Sequence, residues 1–124
     1  MCGAHRALIH EVPGLGRRPM AAVIALEHTR MWPGVVGASL VAWQEAVLIG
    51  TADRVVGRCL CEECTGDAPR RRLHRALTAL PSWAGPYLYG LVLPIDHYYL
   101  SRTAPNPYAP PDRPWWQRRL IRPG

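Results

Sequence analysis

The sequence predicts a helix-dominant α+β protein: short strands in the amino-terminal half, an αα-hairpin at about residues 67–101, and an extended proline-rich carboxy-terminal arm. Three observations carry that expectation. Apolar residues repeat at helical spacing from Leu73 to Tyr99, with a Pro81-Ser82 break between two stripes. Short apolar runs, several of them β-branched, occupy residues 20–60. Prolines at 105, 107, 110, 111, 114 and 123 deny residues 102–124 a regular helix or a central strand.

Taken in order, residues 1–19 are loop-like, punctuated by Pro13-Gly14-Leu15-Gly16 and Pro19. The runs Val23–Leu26, Val35–Val41, Val47–Ile49 and Val55–Leu60 are too short for long helices, and Thr51-Ala52-Asp53 is placed to turn a hairpin. A helix over Ala38–Ile49 competes with that reading, because Leu40, Trp43 and Val47 share a helical face. From residue 67 the pattern is clearer. Asp67 is an N-cap candidate, Pro69 suits a first turn, and Leu73, Ala76, Leu77 and Leu80 form one stripe. Ser82 is a cap candidate for a second helix, in which Leu88, Leu91, Val92, Ile95 and Tyr99 repeat and Pro94 predicts a kink. These segments divide the chain into a globular domain over 1–101 and an arm over 102–124, which would reach ~70 Å if it were fully extended.

All 15 basic residues of the 124 are arginine, phenylalanine is absent and Asn106 is the sole asparagine, a bias that follows from GC-rich coding in a bacterium or phage. Residues 1–66 hold Arg6, Arg17, Arg18, Arg30, Arg54 and Arg58 against Glu11, Glu27, Glu45, Asp53, Glu62 and Glu63, and so carry no net charge. The formal +6 lies in residues 67–124, where nine arginines face Asp67, Asp96 and Asp112. Segregated positive charge favours nucleic acid, an anionic surface or an acidic protein. Arg70, Arg71, Arg72 and Arg75 are candidate phosphate contacts; Trp115 and Trp116 with Arg118, Arg119 and Arg122 are a candidate stacking and contact group. For the tryptophan pair, the competing reading is a staple that holds the arm to its own domain, since exposed large aromatics are costly.

Cys59, Cys61 and Cys64 fall within six residues, and Cys61-x-x-Cys64-x-Gly66 has zinc-knuckle spacing. Successive residues on a strand face opposite ways, so Cys59, Cys61 and Cys64 do not all share one face, and a tetrahedral set built on Cys61 and Cys64 needs further ligands from among Cys59, His74, Cys2 and His5. Cys2-x-x-His5 itself has ligand-pair spacing. The reading is a structural zinc knuckle at 59–66; reduced, partly buried thiols and a redox pair are the alternatives. No apolar h-region follows a basic start, which predicts a cytoplasmic, reducing location. Arginines flank both uncharged stretches, Met31–Gly50 and Ala76–Ile95, which argues against membrane insertion.

Met1-Cys2-Gly3 resembles the start of glutamine amidotransferases with an amino-terminal nucleophile, and of the abasic-site-crosslinking family related to the SOS response. The resemblance implies Cys2 as a nucleophile activated by its own amine or a nearby base. It covers those three residues. Pro81-Ser82-Trp83-Ala84 and Glu27-His28-Thr29-Arg30-Met31 echo later segments of the second family, but in reversed order. His97 beside Asp96 has the makings of an oriented base, yet no nucleophile is paired with it, so the two read as packing residues. The leading expectation is therefore a small zinc-supported, non-enzymatic nucleic-acid-associated regulator with no small-molecule substrate. The alternative is an interaction or assembly protein, possibly phage-encoded, that docks on a partner or on a second copy through its arm. A Cys2 enzyme ranks third.

Overall fold

The computed structural model describes residues 12–49 and 67–121. It is helix-dominant, with four helices and one small two-stranded sheet. Helix α1 spans Arg17–Arg30, α2 Val35–Ile49, α3 Ala68–Ala79 and α4 Gly85–Ser101. Strand β1 (Thr103–Pro105) and strand β2 (Arg119–Ile121) follow, with a single 3₁₀ turn at Trp115–Gln117 ahead of β2.

The amino-terminal runs read as strands are helical where they are described. In α1, Pro19, Val23, Leu26 and Glu27 are the buried residues, a spacing of four, three and one that belongs to a helix face and not to a pleat. The alanines and Met20 around Val23–Leu26 favour the helix, so the β-branched residues follow their surroundings. Helix α2 absorbs both Val35–Val41 and Val47–Ile49, and it buries Val36, Ser39, Trp43 and Val47 along one side. It begins three residues before the competing helical reading and takes in that whole segment. The proposed hairpin turn at Thr51–Asp53 and the run Val55–Leu60 lie outside the described residues.

A remote side chain supplies what α2 lacks at its start. Pro33-Gly34 turns the chain, Gly34 sitting at φ +82, a left-handed conformation that glycine adopts without a Cβ penalty. The buried Glu27 carboxylate then accepts the backbone N–H of Gly34 at 3.2 Å and of Val36 at 3.0 Å. These amides would otherwise be orphaned, and the negative charge suits the positive end of the helix.

Helix α3 has Pro69 in its first turn and buries Leu73, Ala76 and, just past its end, Leu80. Two capping expectations are corrected. Asp67 occupies the N-cap position but makes no side-chain cap bond, because its carboxylate is engaged by the carboxy-terminal segment. The N-cap of α4 is Ala84, not Ser82, and Pro81 instead accepts the N–H groups of Ala84 and Gly85. Helix α4 continues through Pro94, with Leu88, Val92 and Asp96 buried at intervals of four. Val23 and Leu26 of α1, Val36, Trp43 and Val47 of α2, Leu73 of α3, and Leu88 and Val92 of α4 close one core.

Residues 103–121 do not remain extended. Strand β2 returns antiparallel to β1, Thr103 opposite Ile121 and Pro105 opposite Arg119, and Asn106 donates to the Arg118 carbonyl at 2.9 Å. The prolines sit in the connecting loop and at a strand end, where no ladder donor is required. Trp116 is buried at the tip of this return, and the Tyr99 hydroxyl donates to its carbonyl at 2.8 Å.

Inside the bundle, Arg70 of α3 meets Asp96 of α4 in a two-point pair, Nε to Oδ1 at 3.0 Å and Nη2 to Oδ2 at 2.9 Å. Trp43 of α2 adds its indole N–H to Oδ1 at 3.0 Å. Both charged residues are only 3% exposed, so removing one partner strands a charge away from water. Asp96→Ala is therefore expected to destabilise the fold by about 3–5 kcal/mol in urea unfolding. A Arg70→Met and Asp96→Leu double replacement is expected to cost less than the two single changes added together, as a double-mutant cycle would report.

Candidate functional site

Helix α3 sorts its four arginines by the 100° step between successive residues. Arg70 shares the buried stripe with Leu73 and Ala76, so it is not the phosphate contact expected of it. Arg71 and Arg75 are exposed, and Arg72 is half-buried at the edge beside α2, its Nε donating to Ser39 Oγ at 2.9 Å. Arg71, Arg72, His74 and Arg75 line an open cleft of about 540 Å³ together with Trp32, Ala68, Pro114 and Trp116. Arg75 also borders a smaller cleft of about 220 Å³, shared with Arg30 at the end of α1. Among the described residues, no aspartate or glutamate lines either space.

The far wall comes from the carboxy-terminal segment, and it is pinned. Trp116 Nε1 donates to Asp67 Oδ2 at 3.0 Å, the Gln117 amide donates to the same oxygen, and Arg71 Nε lies 3.4 Å from Asp67 Oδ1. The Arg70 guanidinium sits 4.5 Å from the centre of the Trp116 ring, a cation–π contact made where water is excluded. Trp115 lies half-buried, edge-on to Trp116 at 5.8 Å and 6.1 Å from Tyr99. The tryptophans thus hold the segment to its own body.

The remaining expected contacts divide in the same way. Arg118 is exposed. Arg119 is engaged, with Nε on Thr103 Oγ1 at 2.9 Å and Nη2 on the carbonyls of Thr103 and Leu100. Arg122 lies outside the described residues, as do Cys2, His5, Cys59, Cys61 and Cys64. His74, the one proposed zinc ligand that is described, is exposed on α3 with its ring 5.6 Å from Trp116. Among the described residues no three His, Cys, Asp or Glu side chains are grouped to hold a metal ion, and no helix is long and apolar enough to cross a membrane.

No family model, curated protein or solved structure matches this chain. Function is therefore argued from the chain's own geometry. The cleft presents cations beside apolar and aromatic walls, which suits an anion bearing flat or apolar groups. Asp96 and His97 do not form an oriented base: Asp96 points inward to Arg70 and Trp43, while His97 is exposed. Trp32 and Pro114, which the sequence reading did not single out, help to line the cleft, and nothing in their local spacing marked them.

Two groups at the site have displaced acidities. Burial pushes the Asp67 carboxyl up, but the bonds from Gln117 and Trp116 and the charge of Arg71 outweigh it, and the net shift is downward from 3.8. Burial raises the Tyr99 phenol, with Arg119 working against the shift. For Asp67 the sign is that of a carboxylate favoured by folding. Its contribution is complete above the unfolded value of 3.8 and is lost as pH falls through the lower folded value. The urea midpoint of the parent is expected to fall across that acid window, and Asp67→Asn is expected to flatten this part of the profile while lowering stability at neutral pH.

Proposed function

We propose that this protein is a non-enzymatic, nucleic-acid-associated regulator that contacts phosphates through the exposed face of α3. The observation that carries the reading is the convergence of Arg71, Arg72, Arg75 and His74 on one open cleft, with no acid lining it among the described residues. Guanidinium groups hold phosphate oxygens through paired N–H donors, and the condensed counterions they displace supply a salt-sensitive driving force. Docking on a partner through Trp115 and Trp116 is the weaker reading, because those rings are taken up by Arg70, Asp67 and Tyr99 of the same chain.

A structural zinc completes the proposal. Cys61 and Cys64 are the suggested pair, with the other two ligands drawn from Cys59, Cys2, His5 and His74. The pair precedes α3 directly in sequence, so a bound ion would anchor the approach to the arginine-bearing helix. Native mass spectrometry of reduced protein is expected to show one zinc per chain, lost on Cys61→Ser and Cys64→Ser substitution. Fully reduced protein without metal would overturn this part of the proposal.

The phosphate reading has its own measurement. An Arg71→Ala and Arg75→Ala double variant is expected to weaken binding of a labelled oligonucleotide, and the slope of log affinity against log salt is expected to shrink by about 1.4 on a single strand or about 1.8 on a duplex. Both residues are exposed, so the urea midpoint should stay near that of the parent. Unchanged affinity and slope would sink the reading. Arg70 is unsuited to this test because its replacement disturbs the core.

A further inference from the structure

A second cleft carries two aromatic side chains that are far more open to water than Trp116. Trp83, in the turn between α3 and α4, is 49% exposed, and Tyr87, in the first turn of α4, is 59% exposed. They stand four residues apart and line an open cleft of about 540 Å³ with Gly16, Arg17, Arg18 and Pro19. The Arg18 guanidinium carbon lies 5.8 Å from the centre of the Trp83 ring. Among the described residues, neither Arg17 nor Arg18 forms an ion pair and no acid lines the cleft. Gly16 gives α1 no side-chain cap, so the positive end of that helix adds to the field of the two arginines.

We infer that this surface is a base-stacking platform for single-stranded nucleic acid, an inference that rests on the nucleic-acid reading of α3. Large aromatic rings left open to water beside unpaired guanidinium groups match a ligand with flat faces and regular negative charge. A duplex has the charge but hides its bases from such a surface; an unpaired strand exposes both. The two clefts also lie within reach of one strand. Arg75 of the first cleft shares the smaller space with Arg30, and α1 carries the path from Arg30 back to Arg17 and Arg18, a helix of 14 residues and about 20 Å. A strand spanning both sites would place phosphates on α3 and stack bases at Trp83 and Tyr87.

The test is fluorescence anisotropy on the full chain with labelled oligothymidine, oligouridine and a duplex of matched length. Trp83→Ala combined with Tyr87→Ala is expected to weaken single-strand binding about tenfold or more, with duplex binding and the salt slope unchanged. Trp83→Tyr should restore most of the loss, and Arg17→Ala with Arg18→Ala should reduce the single-strand salt slope by about 1.4. The oligothymidine and oligouridine arms show whether DNA, RNA or both are taken. A double aromatic variant that binds single strands like the parent overturns the inference. So does an equal loss on the duplex, or a loss confined to anionic vesicles or an acidic peptide. If single-strand binding depends on Arg71 and Arg75 but not on Trp83 and Tyr87, the platform fails and the phosphate cleft stands. A parent that binds no nucleic acid overturns both.

Discussion

The architecture turns on the buried pair of Arg70 and Asp96. One guanidinium and one carboxylate bring three helices to a point, because Trp43 of α2 donates to the same carboxylate that α3 and α4 share. The fourth participant is Trp116, whose ring lies over Arg70 and ties the carboxy-terminal segment to the bundle. Desolvating two charges costs several kcal/mol, and their attraction only roughly offsets it, so the pair contributes geometry more than net stability. Its bidentate form fixes the rotation of α3 about its own axis. With Arg70 held inward, Arg71 and Arg75 turn outward, and the cleft follows from that rotation.

The placement of the acids strengthens the same outcome. Glu27 is buried at the start of α2, Asp96 is buried against Arg70, and Asp67 is held by Trp116, Gln117 and Arg71. Their negative charge is spent on amides, an indole and guanidinium groups of the same chain. Arg70 is the one buried arginine among the described residues, so most of the positive charge stays at the surface while much of the balancing negative charge does not.

The stripes of α3 and α4 were legible because they are long, regular and bounded by proline, which leaves helical spacing as the reading that fits. Helix α1 was read as short strands, and for α2 strands and a helix over Ala38–Ile49 competed. Short valine and isoleucine runs resemble strands locally, whereas the burial of Val23 with Leu26 and of Val36 with Trp43 repeats only when the intervening alanines are counted. The arginine run marked the helix that lines the first cleft but not which of its members are exposed. Position 70 falls three residues before Leu73, so the register already placed it on the apolar face; a buried partner for it could not be foreseen, since Asp96 lies 26 residues away. Trp83 carried no signal at all, because exposure is a property of the folded surface and not of local spacing.

The carboxy-terminal return links these features into one device. Pro114 and Trp116 line the cleft whose arginines come from α3, so the cleft exists only while the return is docked. Docking depends on Asp67 accepting Trp116 and Gln117, and Asp67 also lies beside Arg71, one of the cleft cations. An anion that draws Arg71 away from Asp67 would remove a favourable charge contact from the group that pins the opposite wall. Conversely, a firmly pinned wall restrains how far Trp116 can move to admit a ligand. Reciprocal coupling between ligand binding and docking of the return follows from this shared residue, because any free energy that one process takes from Asp67 must appear with the same magnitude in the other.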